Sequence, residues 1–209
     1  MKRAVKSTRV IGPKVKATVL GHGKGWVFTP REFLSLGDPR SVSMALTRLA
    51  RKGVIRQLTR GLYDYPKNDP QLGVLSPSID AVARALTFRH DIRLQPSGGY
   101  AANLLGLSDQ VPMKIVFLTD GPNRRIQLGK LQIILKRTSP CNMATAGSTS
   151  GLVIQALRHI GQRNVDDRVI SKLRQTLSVK DKKRLLLDLR HAPAWVAGAM
   201  RQIAESKSL

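Results

Sequence analysis

Acidic residues, aromatic residues and cysteines are all scarce in this sequence of 209 residues. Asp and Glu number 13 against 36 Lys and Arg, which gives a formal net charge of +23. Such an excess attracts polyanions over nanometre distances, so the composition indicates nucleic acid or an anionic membrane surface as the class of partner. Because aromatic residues make up only 4% of the chain, recognition of single strands by base stacking is poorly supported.

The sequence also predicts neither a disulfide nor a membrane-spanning segment. Cys141 is the only cysteine, so no internal disulfide can form, and it belongs to no metal-binding motif. No apolar run reaches the roughly 20 residues that a spanning helix needs. The opening MKRAVKSTRVIGPKVKATVL is interrupted by Arg9, Pro13, Lys14 and Lys16, unlike a signal peptide. These absences favour a cytoplasmic protein with no membrane partner.

The motifs of catalysis are missing as well. The stretch GHGKG at Gly21–Gly25 lacks the GxxxxGK[ST] pattern of a phosphate loop and is interpreted as a flexible connector. The four histidines show no ligand spacing with carboxylates or cysteine, and His90 beside Asp91 is interpreted as a loop pair. No two acids stand at a spacing that suggests general acid–base chemistry. We therefore expect no enzyme activity, no cofactor and no metal.

The distribution of proline, glycine and charge predicts two domains. Periodicity breaks down before residue 79, so we expect a first domain at 1–70, a linker at 71–78 and a second domain at 79–209. Residues 1–70 hold 15 basic and 4 acidic residues, a net +11, against +12 for the other 139 residues. The first domain is about twice as dense in positive charge, which favours it as the part that contacts DNA.

A pair of helices is predicted in the first domain. Asp38 before Pro39 is typical of a helix start, and Gly53 of its end. Apolar residues recur between them at helical spacing and predict a buried stripe of Val42, Ala45, Leu46 and Leu49. The preceding TPREFLSLG predicts a shorter helix in which Phe33, Leu34 and Leu36 supply apolar contacts. The spacing is that of a helix-turn-helix, with GWVFT as a short strand before it. A further helix is expected at Val10–Leu20, although Gly12-Pro13 interrupts its early part.

A β-hairpin follows the second helix. VIRQLT and LYDYP flank Arg60 and Gly61, where glycine tolerates the positive φ of a tight turn. This hairpin is the wing of a winged helix-turn-helix. Its arginines, together with polar residues on the helix face opposite the buried stripe, predict a DNA-binding surface of Arg40, Ser43, Thr47, Arg48, Arg51, Arg56 and Arg60. The alternative is a basic face that is merely solvated.

The second domain is predicted to be α+β, with a small sheet and several helices. KIVFLTD, RRIQL and LQIILKR are strands separated by glycine-containing turns. One helix begins after Ser78, another covers GYAANLL, two more follow Gly147, and the last two lie near Lys180–Arg190 and Pro193–Ala204. The basic cluster Lys180, Lys182, Lys183 and Arg184 is either a contact for an acidic partner or nucleic acid, or a solvated helix start.

Several motifs also resemble a known family. GWVFTPREFLSLGDPRSVSMALTRLARKGVIRQLTRGLYDYP, LSPSIDAVARAL, RLQPSGGYAANLLGL and KIVFLTDGP are similar to the AbiE-type (AbiEi) abortive-infection antitoxins over roughly residues 20–200. LQPSGGYAANLLGL and VFLTDGP are the most distinctive of these. The resemblance implies the antitoxin of a type IV toxin–antitoxin system in phage defence, which represses its own operon through the winged helix and counters a nucleotidyltransferase-like toxin.

Three functions thus remain open. The first is a DNA-binding antitoxin and autorepressor that binds an operator, expected to be an inverted repeat, as a monomer or a DNA-assisted dimer. The second is a stand-alone winged-helix transcriptional regulator whose second domain senses a ligand. The third is a basic protein associated with RNA.

Overall fold

The computed structural model describes residues 3–87 and 92–205 and shows an α+β fold, which confirms the predicted class. His90 and Asp91 lie outside the described residues. Contacts divide the chain into two compact units, Met1–Asp91 with Ile126–Gly129, and Ile92–Arg125 with Lys130–Leu209. The first unit therefore extends past the linker that we predicted at 71–78.

The first unit has the element order of a winged helix-turn-helix. Its elements are α1 (Arg3–His22), β1 (Val27–Phe28), a 3-10 helix (Pro30–Leu36), α2 (Pro39–Arg51), β2 (Arg56–Thr59) and β3 (Leu62–Asp64). β3 lies between β1 and β2 and is antiparallel to both. The chain continues through β4 (Asn68–Asp69), β5 (Gly73–Val74) and α3 (Ile79–Thr87). α3 packs against β1, which is why it belongs to this unit.

Helix α1 is longer than the interrupted segment that the sequence suggested. Ile11, Val15 and Val19 recur every four residues and are all buried, in the same core as the apolar stripe of α2. Pro13 lies inside the helix and is exposed, so its missing N–H faces away from the core. Burial of the three aliphatic side chains outweighs the local cost of that proline.

The element before α2 is a 3-10 helix, which is the tighter form of the short helix that we expected. Phe33 is fully buried and meets Phe28 edge to face, with ring centroids 5.4 Å apart. Leu34 points to solvent instead, so its predicted packing role is wrong. Gly37 ends the element where a Cβ atom would collide with the side chain of Ile11, so glycine permits the close approach of α1.

The second unit combines a sheet with a group of helices. Its elements are β6 (Leu94–Ser97), α4 (Gly98–Leu104), β7 (Lys114–Thr119), the first two residues of β8 (Arg124–Leu128), β9 (Leu131–Arg137), α5 (Pro140–Met143), α6 (Thr149–Ile160), α7 (Asp167–Thr176), α8 (Val179–Leu187) and α9 (Ala194–Ala204); the rest of β8 is grouped with the first unit. The strand order is β6-β7-β9-β8; β6 is antiparallel to β7, and β7 is parallel to β9. The three predicted strands are confirmed, and β6 was missed.

The helical core of the second unit lies around α6. Val153 and Leu157 are fully buried there together with residues of α4, α7, α8 and α9. At the sheet, Tyr100 of α4 meets Phe117 of β7 at 5.7 Å between ring centroids. No helix within residues 3–87 and 92–205 is long and apolar enough to cross a bilayer.

Candidate nucleic-acid interface

Helix α2 begins and ends at well-defined caps. The carboxylate of Asp38 accepts a hydrogen bond from the backbone N–H of Ser41 at 3.0 Å, and Pro39 occupies the first turn. Hydrogen bonds from the side chain and the backbone of Ser41 lower the pKa of Asp38. At the other end Gly53 has a φ of +69°, which lets the chain turn sharply into the wing. The caps fix where α2 begins and ends and so which of its residues are presented.

The two faces of α2 differ sharply in character. The predicted stripe of Val42, Ala45, Leu46 and Leu49 is buried, as is Ser41, which confirms the helical period. The exposed face consists of Arg40, Ser43, Met44, Thr47, Arg48 and Arg51. It carries no acid, and its three arginines take part in none of the ion pairs found among the described residues. Three guanidinium groups are thus presented to solvent on one helix.

Thr47 joins this face to the wing. Its hydroxyl donates to the carbonyl of Ser43 at 2.9 Å. Burial raises the pKa of Tyr63 on β3, and the neighbouring Thr47 side chain opposes that rise. Because the hydroxyl proton is donated to Ser43, the Thr47 side chain offers a ligand an acceptor oxygen and a methyl group, and the methyl group suits that of thymine.

The hairpin that we predicted as the wing is confirmed. β2 and β3 pair in antiparallel register with Thr59 opposite Leu62, and the turn between them is Arg60-Gly61. Gly61 has a φ of +74°, and no atom lies within 4 Å of the position that a Cβ would take. Glycine is therefore needed there for its backbone conformation and not for space. Arg60 is exposed at the turn.

Arg56 lies on the wing strand β2, as predicted, but its guanidinium is paired within the protein. Its Nε donates to Oδ1 of Asp64 at 3.1 Å, and its Nη2 donates to Oδ2 at 2.6 Å and to the carbonyl of Leu75 at 2.9 Å. The side chain of Asp64 is only 2% exposed. Arg56 therefore neutralises a buried carboxylate at the base of the wing, and we remove it from the predicted contact surface.

One basic residue beside this surface was missed. Lys52 is the C-cap of α2 and is exposed next to Arg51. The dipeptide Arg51-Lys52 at a helix end could have indicated it, since both cations lie where the helix leads into the wing. The contact surface is therefore defined as Arg40, Ser43, Thr47, Arg48 and Arg51 of α2, with Lys52 and Arg60, and is called the α2–wing surface below.

Two substitutions at the tip of the wing should distinguish a side chain that contacts DNA from a residue that stabilises the hairpin. Gly61→Val opposes a positive φ and is expected to destabilise the hairpin by about 1–2 kcal/mol. Arg60→Ala removes an exposed side chain and should leave the melting temperature nearly unchanged while DNA affinity falls. Thermal melting of both variants checks this. Equal losses of melting temperature would show that Arg60 is structural.

The N-cap of α2 should be sensitive to acid. The pKa of Asp38 is lower in the folded protein than the ordinary aspartate value of 3.8, so its contribution to stability is complete above that value. It is lost as pH falls through the lowered pKa. Asp38→Asn keeps a good cap without a titrating group and should flatten this dependence, whereas Asp38→Ala should lower the melting temperature at every pH. Melting curves between about pH 2 and 5 would test this, and an unchanged acid dependence in Asp38→Asn would contradict it.

Metal binding finds no support in the described ranges. No group of three or more His, Cys, Asp or Glu side chains is arranged there to hold an ion. His22 stacks on Trp26 at 3.8 Å between ring centroids, and Cys141 is exposed.

Comparisons with known proteins give a match to one family model and a distant similarity to one solved structure. A model described as a family of unknown function (DUF6088) matches residues 14–185. The crystal structure of RV2827C protein from Mycobacterium tuberculosis is similar to this chain at 18% identity; the match covers 92% of this chain and 78% of that chain, with a TM-score of 0.44. A similarity of that size carries no argument about function. No curated protein matches.

Proposed function

This chain belongs to DUF6088, a family of unknown function, and from its own residues we propose that it binds double-stranded DNA. The observation that carries the proposal is the α2–wing surface. It joins three arginines, a serine and a threonine on one exposed helix face, without an acid, to an arginine at the tip of a hairpin. The net charge of +23 supports a polyanionic partner.

The dimensions of α2 suit a major groove. Its 13 residues give a length of about 20 Å, and a helix fits the groove, which is about 12 Å wide. In helix-turn-helix proteins the first residues of the second helix contact base edges. Arg40 and Ser43 are therefore assigned to bases, and Arg48 and Arg51, near the C-terminal end, to phosphates or flanking bases. Arg60 would reach the backbone or groove beside this site.

An antitoxin role is the second part of the proposal. It is supported by the resemblance of LQPSGGYAANLLGL and VFLTDGP to AbiE-type antitoxins. In the fold these stretches form β6, α4 and the end of β7, where Tyr100 packs on Phe117. The similarity of these stretches directly supports a shared architecture of the second unit. On the resemblance as a whole we propose that the protein represses its own operon through the winged helix and counters a nucleotidyltransferase-like toxin.

DNA binding is tested by fluorescence anisotropy on a labelled duplex taken from the region that precedes the coding sequence. The full chain is expected to bind it at least about 100-fold more tightly than a scrambled duplex at physiological salt. Unlabelled RNA should compete no better than the scrambled duplex. If RNA displaces the protein as effectively as the specific duplex does, the RNA-associated function is favoured and the proposal fails.

The antitoxin role is tested by coexpression with the product of an adjacent nucleotidyltransferase-like gene. The full chain is expected to restore growth. The variant Arg40→Ala/Arg48→Ala/Arg51→Ala should restore it equally when both genes have inducible promoters, because repression is then irrelevant. A loss of rescue in that variant would show that protection runs through DNA binding and that the two functions are not separate. No rescue by either protein would remove the antitoxin role and leave the DNA-binding proposal intact.

A further inference from the structure

A basic cleft lies on the sheet of the second unit. Its volume is about 610 Å³, and its lining comes from β7, β9 and the start of β8. Four of the lining residues are cations, one is an amide and three are aliphatic: Lys114, Arg124, Arg125, Lys136, Asn123, Val116, Ile134 and Leu135. No acid lines the cleft. The volume lies within the range of small-molecule sites, about 300–1,000 Å³.

The strand register explains how the cations surround an apolar floor. β7 and β9 are parallel, with Val116 opposite Ile134 and Leu118 opposite Lys136. Lys114 and Lys136 are therefore four registers apart, about 13 Å along the strands, on either side of the Val116–Ile134 pair. Val116 and Ile134 are half-buried and so remain accessible from the cleft. An elongated ligand with an apolar part would span this distance.

The polar groups of the cleft are suited to anions. Lys114, Arg125 and Lys136 are exposed and take part in no ion pair among the described residues. Asn123 accepts a hydrogen bond from the backbone N–H of Arg137 at 2.7 Å, which holds its side-chain amide at the rim and leaves the NH₂ group as a donor. The like charges of Lys114, Arg125 and Lys136 repel one another, so a multivalent anion bound between them would relieve this repulsion. Phosphate groups match ammonium and guanidinium donors best.

We propose that this cleft binds a nucleotide that carries several phosphates, with the phosphates on the cations and the base or sugar against Val116 and Ile134. The site lies in the second unit and shares no residue with the α2–wing surface, so it goes beyond the proposed DNA-binding function. A nucleotide is favoured over the backbone of a nucleic acid because the cleft is of small-molecule size and has an apolar floor, which a phosphodiester chain alone would not use.

The test is isothermal titration calorimetry of the full chain with ATP, GTP, inorganic triphosphate and a scrambled DNA duplex. We expect saturable binding of one ATP or GTP per chain. Lys114→Ala/Arg125→Ala/Lys136→Ala should weaken it by about tenfold or more, because each charge-assisted hydrogen bond contributes substantially. The matched control, Arg163→Ala/Arg168→Ala/Arg201→Ala, removes the same charge from exposed positions outside the cleft and should change the affinity by less than about twofold.

Three results would overturn the proposal. Equal weakening in both triple variants would show diffuse attraction by net charge. Inorganic triphosphate that binds as tightly as ATP and GTP would show that the apolar floor is unused. Loss of duplex affinity in the cleft variant without any nucleotide binding would make the sheet a nucleic-acid contact instead. The arginine-to-alanine variant of α2 separates the two proposals, since it should keep nucleotide binding even where DNA binding is lost.

Discussion

Replacing Arg40, Arg48 and Arg51 together with alanine is expected to lower the affinity for the specific duplex by at least about 100-fold. All three side chains are exposed on one face of α2, and none has an acidic partner in the described part of the chain. An arginine that reads a base contributes about 1–3 kcal/mol, and an arginine that neutralises a phosphate also adds affinity, so removing all three multiplies their effects on the dissociation constant. The buried stripe is untouched, so the fold should persist.

Salt dependence tells which of the three arginines contact phosphate. Each phosphate contact that is lost should reduce the slope of log affinity against log salt by roughly one unit and weaken all sequences alike. A lost base contact should instead relax specificity at one position. When the single variants are measured, Arg40→Ala is expected to relax sequence specificity, and Arg51→Ala is expected to flatten the salt dependence of the affinity. The two effects differ because Arg40 and Arg51 lie at opposite ends of α2.

The control for this experiment is Arg163→Ala/Arg168→Ala/Arg201→Ala, which removes the same charge from exposed sites in the second unit. It should keep most of the affinity for the specific duplex. Unchanged affinity in the α2 variant would refute the α2–wing surface. Equal losses in both triple variants would attribute binding to net charge alone.

Arg56→Ala is expected to destabilise the first unit by about 2–3 kcal/mol. Removing the guanidinium leaves the Asp64 carboxylate buried without its two charge-assisted hydrogen bonds and frees the carbonyl of Leu75. Breaking a fully buried pair costs about 3–5 kcal/mol, and the expected loss is smaller because the Arg56 side chain is 35% exposed. Urea unfolding followed by Trp26 fluorescence in a Trp195→Phe background would measure it.

A paired replacement is the control for Arg56. Arg56→Met/Asp64→Leu removes both charges, leaves no unpaired ion and should recover much of the lost stability. Arg60→Ala, at the tip of the same hairpin, should leave unfolding nearly unchanged. If Arg56→Ala unfolds like the parent but loses DNA affinity, Arg56 is a contact residue and our original assignment was right.

The sequence predicted the first unit well where short-range signals agree. Asp38, Pro39 and Gly53 mark the two ends of α2, and the stripe from Val42 to Leu49 sets its buried face. Gly61 indicates the turn of the wing because glycine readily adopts the positive φ that this tight turn requires. These signals lie within a few residues of one another, so no knowledge of the tertiary fold is needed to interpret them.

Features that depend on distant residues could not be predicted. The role of Arg56 depends on Asp64 across the hairpin and on Leu75 further along the chain. β6 has only four residues, includes Pro96 and becomes a strand by pairing with β7. The helix Ile79–Thr87 was recognised, but its membership of the first unit depends on packing against β1.

The basic cleft also depends on residues that are distant in the sequence, so it could not be predicted either. Lys114 and Lys136 are 22 positions apart in the sequence and share one cleft only because β7 and β9 pair in parallel. A shift of one residue in that register would send either strand's cation to the opposite face. Periodicity indicates that these segments are strands, but it does not determine which strands are neighbours.

Cys141 is exposed and is the only cysteine in the sequence, so each protein chain can carry one fluorescent label. Since the sequence contains no other thiol, a maleimide dye attaches at one defined position without any mutation, and each molecule carries a single fluorophore. Single-molecule photobleaching on a surface-tethered duplex then gives one step for a lone chain and two for a pair bound to an inverted repeat. The number of protein copies on an operator can thus be counted on the unaltered protein.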